Sequence, residues 1–162
     1  MNNKFEFTGE EKIFLGRTLK RIRAKVSFGV VRKGEIGGWI EFENNVDVSG
    51  NAWVSGNAQV FGNAWVSGDA QVYGEAQVFG NAQVSGDDAI LWMSKVGSQL
   101  GTLTAYRSKQ GITVTRGCFI GTLDEFRAKV RQEYGEDGFG KGYLVLANYI
   151  EWHFNELHKE AA

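Results

Sequence analysis

The pattern of apolar and polar positions repeats every six residues through the middle of the chain. Valine recurs at every sixth position from Val48 to Val84, and a glycine follows each of these valines two residues later. Within one unit, Ala52 and Val54 alternate with larger or polar residues, which is the pattern of a short strand with one buried face. The following Gly56 suits a sharp corner, because glycine adopts a positive φ without strain. This fixed period predicts a solenoid with alanine and valine inside.

Three strands and three corners complete one coil of the predicted solenoid, so that neighbouring coils stack and present three outward faces. The outward side chains on these faces are, in turn, Gln59, Phe61, Gln77 and Phe79; Trp53, Ser55, Gln71 and Tyr73; and Asp47, Ser49, Trp65, Ser67, Gln83 and Ser85. Exposed aromatic residues would leave an apolar surface, and such surfaces mark interfaces. We therefore expect four aromatic residues to lie between copies of the chain: Trp53, Phe61, Tyr73 and Phe79.

The same phase extends backwards through Val30, Ile36 and Phe42, which predicts a distorted first coil around residues 37–39. A solenoid of about three coils is near the smallest that buries a continuous core, so it needs caps or partners. The predicted divisions are an N-terminal β segment at residues 1–29, the repeat at 30–90 and a C-terminal α+β domain at 91–162.

The flanking segments predict these caps. Residues 12–27 fit a helix or a hairpin, and the alternation from Leu19 to Ala24 favours the hairpin. Residues 103–108 and 112–119 read as two strands around a turn at 109–111. Thr122 and Glu125 form a capping box that starts a helix, which ends at Tyr134 and Gly135. A loop at 136–142 leads into a last helix, in which four residues are expected to share one face: Leu146, Tyr149, Ile150 and Leu157.

Composition and charge narrow the classes of function. The chain has 162 residues, a net charge of -1 and one cysteine, Cys118, which excludes an internal disulfide and a cysteine-based zinc site. No long apolar run is present, so we expect neither a signal peptide nor a membrane span, and the expected location is a cytosol. Residues 34–90 contain no lysine or arginine, which disfavours binding of duplex nucleic acid along the repeat.

Three segments together resemble a known family. The run at 17–24 (Arg-Thr-Leu-Lys-Arg-Ile-Arg-Ala), the run at 34–41 (Gly-Glu-Ile-Gly-Gly-Trp-Ile-Glu) and the Gly-Asn-Ala-x-Val hexads resemble phage and prophage hexapeptide-repeat proteins. The segment at 117–126 is similar to a C-terminal module of phage accessory proteins. The resemblance implies a left-handed parallel β-helix, a trimer and a phage or prophage origin. The expected fold class is thus mainly β: a short left-handed parallel β-helix with an N-terminal β segment and a small C-terminal α+β cap, made of a β-hairpin and two helices.

Catalytic chemistry has little support in the sequence. Many hexapeptide-repeat proteins resemble acyltransferases, which use a histidine on a coil as the base, but these repeats contain no histidine. His153 and His158 lie near the chain end, where a surface or capping role is favoured over a general base. Cys118 is expected as a packed thiol on a strand. We therefore expect no enzymatic activity, no cofactor and no bound metal.

The hypothesis from sequence is a non-catalytic, phage-encoded accessory protein. It is a homotrimeric scaffold in the host cytosol that binds and neutralises a host component, either a defence protein or its nucleotide signal. For a small anionic nucleotide ligand, guanidinium groups would pair with an aromatic platform. The candidate contacts are Arg17, Arg21, Arg23, Tyr106, Arg107 and Arg116. For a protein partner, the exposed helix of the cap is the candidate surface. The alternatives are a structural trimer of the virion or tail and, with least support, a hexapeptide acyltransferase.

Overall fold

An antiparallel hairpin opens the fold in the computed structural model, which describes residues 2–157. Strand β1 spans Phe5–Phe14 and strand β2 spans Arg17–Ala24. The two strands pair in antiparallel register around Leu15 and Gly16, both of which have positive φ. The sequence-based preference for a hairpin over a helix is therefore confirmed.

Short strands with parallel pairing follow, and together they form the repeat region (residues 36–86). They are β3 (Ile36–Ile40), β4 (Trp53–Val54), β5 (Gln59–Val60), β6 (Trp65–Val66), β7 (Gln71–Val72), β8 (Gln77–Val78) and β9 (Gln83–Val84). Strand β3 pairs with β5 and β5 with β8, while β4 pairs with β7 and β6 with β9. Val54 and Val60 are fully buried, as are the alanines that precede them. The predicted stacking of parallel strands over an alanine and valine interior is confirmed.

The register of the first strands differs from the prediction. Val60 pairs with Ile40, and Val66 forms a bridge with Val46, so the partners are twenty residues apart instead of eighteen. The two extra residues lie between Val46 and Val54, which are eight residues apart, whereas Ile40 and Val46 keep the spacing of six. A 3-10 turn at Glu43–Asn45 forms the corner between Ile40 and Val46, and the Asn45 amide nitrogen donates there to the carbonyls of Gly62 and Ala64. The expectation that the six-residue phase continues backwards is therefore wrong. The residues that this phase would place inside are exposed, namely Val30, Ile36, Phe42 and Val48.

The C-terminal part is an antiparallel sheet with two helices. Its strands are β10 (Ile90–Val96), β11 (Gly101–Ser108), β12 (Gly111–Arg116) and β13 (Phe119–Thr122), and its helices are α1 (Leu123–Tyr134) and α2 (Gly138–Asn155). The predicted β11–β12 hairpin and the capping box of α1 are confirmed.

The C-terminal prediction is wrong in its sheet and in helix α2. The sheet has four strands instead of a two-stranded hairpin, and the predicted strand at 112–119 is divided between β12 and β13. Helix α2 begins at Gly138, so the connecting loop is much shorter than the predicted loop at 136–142. Helix α2 also buries a different face from the predicted one, because Tyr149 and Leu157 are exposed. The residues of α2 that are buried are Gly140, Tyr143, Ala147, Ile150 and Phe154.

The C-terminal sheet lies between the end of the repeat region and the two helices. Alternate residues of a strand point to opposite faces, and Leu103, Ala105 and Val114 pack with the helices. On the other face, Thr104 accepts a hydrogen bond from the Gln77 backbone nitrogen at 3.0 Å, and Thr115 donates to the Gln77 carbonyl at 3.0 Å. These hydroxyl groups form the hydrogen bonds that a further strand would otherwise make with the outer edge of β8.

Neither helix in the described part of the chain is long and apolar enough to cross a membrane.

Candidate functional site

Arg17 and Arg23 on β2 form ion pairs with carboxylates on β1 and directly after β3. Arg17 contacts the Glu41 carboxylate at 2.9 Å, and Arg23 contacts Glu6 on β1 at 2.6 Å. All four side chains are at least partly exposed, so these pairs contribute little stability. The pairs nevertheless offset the local positive charge that made the two arginines candidates for an anion site.

Arg21 faces Trp39 on the adjacent strand. Its guanidinium carbon lies 5.1 Å from the centroid of the Trp39 indole, and the Lys12 ammonium lies 4.5 Å from that centroid. Cations at these distances are attracted to the electron-rich ring. Burial lowers the pKa of Lys12 from its ordinary value, and Glu75 opposes this shift. Arg21 therefore packs against the indole, and Lys12 shares this contact although no sequence pattern indicated it.

Tyr106 is buried and does not form an exposed aromatic platform. Its side chain is part of the core of the repeat region, and its hydroxyl donates to the Phe79 carbonyl at 2.8 Å. Burial raises the pKa of the Tyr106 hydroxyl well above its ordinary value, so the phenol stays neutral. The expectation that Tyr106 stacks on a ligand is wrong, because the C-terminal sheet packs this residue against the repeat region.

Arg107 and Arg116 lie near opposite ends of the helix-facing side of the C-terminal sheet. Arg107 donates to the Phe154 carbonyl and lies over the Phe154 ring, 5.3 Å from its centroid. Arg116 donates to the Val96 carbonyl at 3.2 Å. The six candidate residues are thus divided between two separate sheets, and the structure does not bring them together as one site.

The outward aromatic residues of the repeat region are mostly covered by the chain itself. Phe61 stacks on Phe79 with ring centroids 4.7 Å apart, and Phe14 packs edge-on against Phe61 at 5.8 Å. Leu19 and Trp39 complete this outer cluster. Phe61 is only 2% exposed. The expectation that Phe61 and Phe79 are exposed between protomers is wrong, because the N-terminal hairpin folds over them.

Trp53 is covered in the same way, by a different part of the N-terminal segment. Its ring centroid lies 6.4 Å from that of Phe5 and 5.4 Å from that of Phe28. Trp53 is 1% exposed, so its predicted place at an interface is also wrong. Of the four predicted interface residues, Tyr73 is exposed, with 55% of its surface accessible.

Two separate apolar depressions are exposed beside the strands that flank the corner between β6 and β7. Trp65, which precedes this corner, is 42% exposed and borders a shallow depression of about 380 Å³ with the exposed Val48. Tyr73, which follows the corner, packs edge-on against Trp92 at 4.5 Å and borders a second depression of about 510 Å³. We call Val48, Trp65, Tyr73 and Trp92 the apolar corner.

The C-terminal domain contains a cavity of about 250 Å³ beside Arg116. Residues from β12, from the turn after it and from both helices line this cavity. Six of them supply its chemistry: Arg116, Cys118, Phe126, Lys129, Tyr134 and Tyr143. We call it the Arg116 cavity. Its walls combine aromatic rings with a few charged side chains, which is typical of small-molecule sites. Arg116 was a sequence candidate, whereas the aromatic walls carried no sequence signal because they meet only through tertiary packing.

The structure shows where the residues considered for catalysis lie. Cys118 is exposed in the turn between β12 and β13, so the expectation of a packed thiol is wrong. His153 packs against the rings of Tyr149 and Phe154, and His158 lies outside the described residues. Among residues 2–157, no group of three or more histidine, cysteine, aspartate or glutamate side chains could hold a metal ion.

Comparison with known proteins identifies the repeat. Residues 58–74 match a family model described as the YdcK beta solenoid repeat. These residues include β5, β6 and β7, so the hexapeptides that stack in parallel here are similar to a β-solenoid repeat. No curated protein was found to match the chain.

Proposed function

We propose that the protein is a non-catalytic binding scaffold in which three copies of a left-handed parallel β-helix associate through the apolar corner. The exposed aromatic residues of that corner carry this proposal. Trp and Tyr are the residues that most often anchor protein interfaces, and here they lie in two groups on either side of one corner.

The position of the two groups favours cyclic assembly. In a ring of three subunits, each interface joins two different surfaces of the chain, one from each neighbour. Val48 and Trp65 form one such surface, and Tyr73 and Trp92 form the other. With the corner directed towards the threefold axis, the Trp65 side of one copy meets the Tyr73 side of the next. Tyr73 is kept from the residues first expected at the interface, whereas Trp53, Phe61 and Phe79 are left out because they are buried within the protomer.

The scaffold carries its binding surfaces on the C-terminal domain. Helix α2 exposes a stripe of apolar residues, Val145, Tyr149 and Trp152, which suits a protein target. The resemblance to phage and prophage hexapeptide-repeat proteins supports a phage-encoded accessory protein in the host cytosol that acts by occupying a host defence protein or its signal. A role by occupancy requires exposed contacts, and the apolar stripe of α2 would supply them.

Light scattering coupled to size exclusion tests the assembly. The wild-type protein should have three times the 18.0 kDa mass of one chain. Combining Trp65→Glu with Tyr73→Glu should give a folded single chain, because each interface loses two aromatic anchors and gains two buried charges of the same sign. A matched control combines Tyr149→Glu with Trp152→Glu on α2, and it should keep the trimer mass. A wild-type protein that has the mass of one chain would refute the trimer.

Capture from host lysate tests the binding role. Wild-type protein should retain one host component, and the α2 control variant should lose that component while keeping the trimer mass. Retention by both forms would contradict the assignment of α2 as the protein-binding surface. Association with purified virions instead of a host component would favour a structural role.

A further inference from the structure

The Arg116 cavity has a cation that is fixed in place but not fully paired. Arg116 lies opposite Phe119 in the β12–β13 register, and one terminal nitrogen of its guanidinium donates to the Val96 carbonyl. Its Nε is buried and has no hydrogen-bond partner within the described chain. A buried donor without a partner is costly, and an anionic oxygen is the acceptor that pairs best with a guanidinium.

Gly101 sets the position of this guanidinium. A Cβ atom added at Gly101 would lie 2.5 Å from the Arg116 guanidinium carbon and 2.8 Å from Nη2. The charged group therefore packs directly on the backbone of β11, at a place where any larger residue would displace it. Because the clash would be with the end of a flexible side chain, the backbone itself would tolerate alanine.

A chain of aromatic rings forms the wall beside the guanidinium. The Phe126 and Tyr143 ring centroids are 5.9 Å apart and perpendicular, and those of Tyr143 and Tyr134 are 5.6 Å apart and tilted. Tyr143 is buried, whereas Tyr134 is 43% exposed. The rings thus run from the interior of the cavity to its mouth, and a flat ring can pack against them.

The volume of the Arg116 cavity and the residues at its rim limit which ligands can enter. A volume of about 250 Å³ is below the roughly 300–1,000 Å³ typical of sites for drug-sized ligands, which favours one ring system over a dinucleotide. At the rim, the Lys129 ammonium is 2.7 Å from Glu133, so this cation is already paired. Arg116 remains the group that would select an anion.

We propose that the Arg116 cavity binds a small molecule made of one aromatic ring system and one anionic group, either a carboxylate or a phosphate. The ring packs on Tyr134 and Tyr143, and an anionic oxygen accepts from the Arg116 guanidinium. This assignment deepens the proposed binding function by naming a ligand class, but occupancy of the cavity does not depend on the trimer.

Binding of defined probes tests the ligand class. Benzoate and phenyl phosphate are the two test ligands; benzamide lacks the charge, and cyclohexanecarboxylate and inorganic phosphate lack the aromatic ring. Calorimetry should detect the two test ligands and give at least about tenfold weaker binding for the other three. A preference between benzoate and phenyl phosphate identifies the anionic group. Equal binding of inorganic phosphate and phenyl phosphate would overturn the role of the rings.

Cys118 supplies a second measurement, since it is the one cysteine of the chain and lies at the cavity. Benzoate or phenyl phosphate should slow the alkylation of Cys118 by iodoacetamide. Binding without this protection would place the probe elsewhere and overturn the assignment.

Two variants separate the charge from the fold. Arg116→Met should weaken binding of both test ligands by at least about tenfold. Gly101→Ala keeps the charge but moves it, so it should also weaken binding. Arg131→Met is the matched control, because Arg131 on α1 pairs with the exposed Glu136 instead of lining the cavity. Unchanged affinity in both Arg116→Met and Gly101→Ala would overturn the proposal. The trimer mass of each variant, measured on the same sample, tests the proposed assembly independently.

Discussion

Truncation of Phe61 to alanine tests whether the outer aromatic cluster holds the N-terminal hairpin or joins protomers. Phe61 stacks on Phe79 and is covered by Phe14 of the hairpin, and little of its surface reaches solvent. If these contacts act within one chain, Phe61→Ala should loosen the hairpin and leave the oligomeric mass unchanged.

The expected magnitude follows from the depth of burial. Removing a buried phenylalanine side chain costs about 3–5 kcal/mol, which combines the lost apolar transfer energy with the cavity that remains. The loss of stacked and perpendicular ring contacts lies within this figure. Phe61→Leu retains much of the volume, so it should cost clearly less than Phe61→Ala.

Two measurements check this expectation. Urea unfolding gives the loss of stability for each variant, and native-state hydrogen exchange locates that loss. Amide protons of β1 and β2 should exchange faster in Phe61→Ala, whereas those that join β6 and β9 should change much less. A Phe61→Ala protein that falls to single chains with unchanged protection of β1 and β2 would refute the intramolecular role.

Three further predictions concern the packing and the ends of elements. Gly37→Ala should destabilise the fold by about 1–3 kcal/mol in urea unfolding, because an added Cβ would lie 2.6 Å from Ile22. Thr122→Ala should lower the stability by about 0.5–2 kcal/mol in thermal unfolding, because the cap of α1 is lost. Hydrogen bonds from Ser49 lower the pKa of Asp47, so the carboxylate favours the folded state above its unfolded pKa. Ser49→Ala should therefore reduce the stability near neutral pH, and its difference from wild type should narrow as the pH falls through the folded pKa of Asp47.

The residues inside the repeat were predictable from sequence, because the six-residue spacing alone determines which side chains point inwards. Valine and alanine alternate with other residues, and the structure buries both types inside the stack. The first rung was not predictable in the same way. Ile40 and Val46 take the interior positions because two extra residues separate Val46 from Val54, whereas a constant period of six assigns those positions to Phe42 and Val48.

The outer side of the repeat depends on contacts that a local pattern does not contain. Alternation correctly places Phe61 and Trp53 on the outside of the stack, but it carries no information on what covers them. The covering residues come from the N-terminal segment, which is distant in sequence. Tyr73 is exposed because that segment does not reach it.

The candidate site shows a similar limit for charged residues. Arg17 and Arg23 were candidates by residue type, yet each has a carboxylate partner: Glu41, which follows β3, and Glu6 on β1. Arg116 differs because the position of its partner leaves Nε unpaired beside a cavity. Such a distinction depends on tertiary geometry and has no counterpart in residue type or spacing.

The hydroxyl groups of Thr104 and Thr115 bear on how the repeat number can change in evolution. They recognise one particular strand, because they form hydrogen bonds with both backbone groups of Gln77 on β8. Insertion of a single hexapeptide would add one strand to the repeat. The strand next to these threonines would then belong to a different face of the coil. Insertion or deletion of a whole eighteen-residue set keeps the same face beneath them, as the spacing from Gln59 to Gln77 shows. Homologues of different length are therefore expected to differ in this region by eighteen residues and not by six.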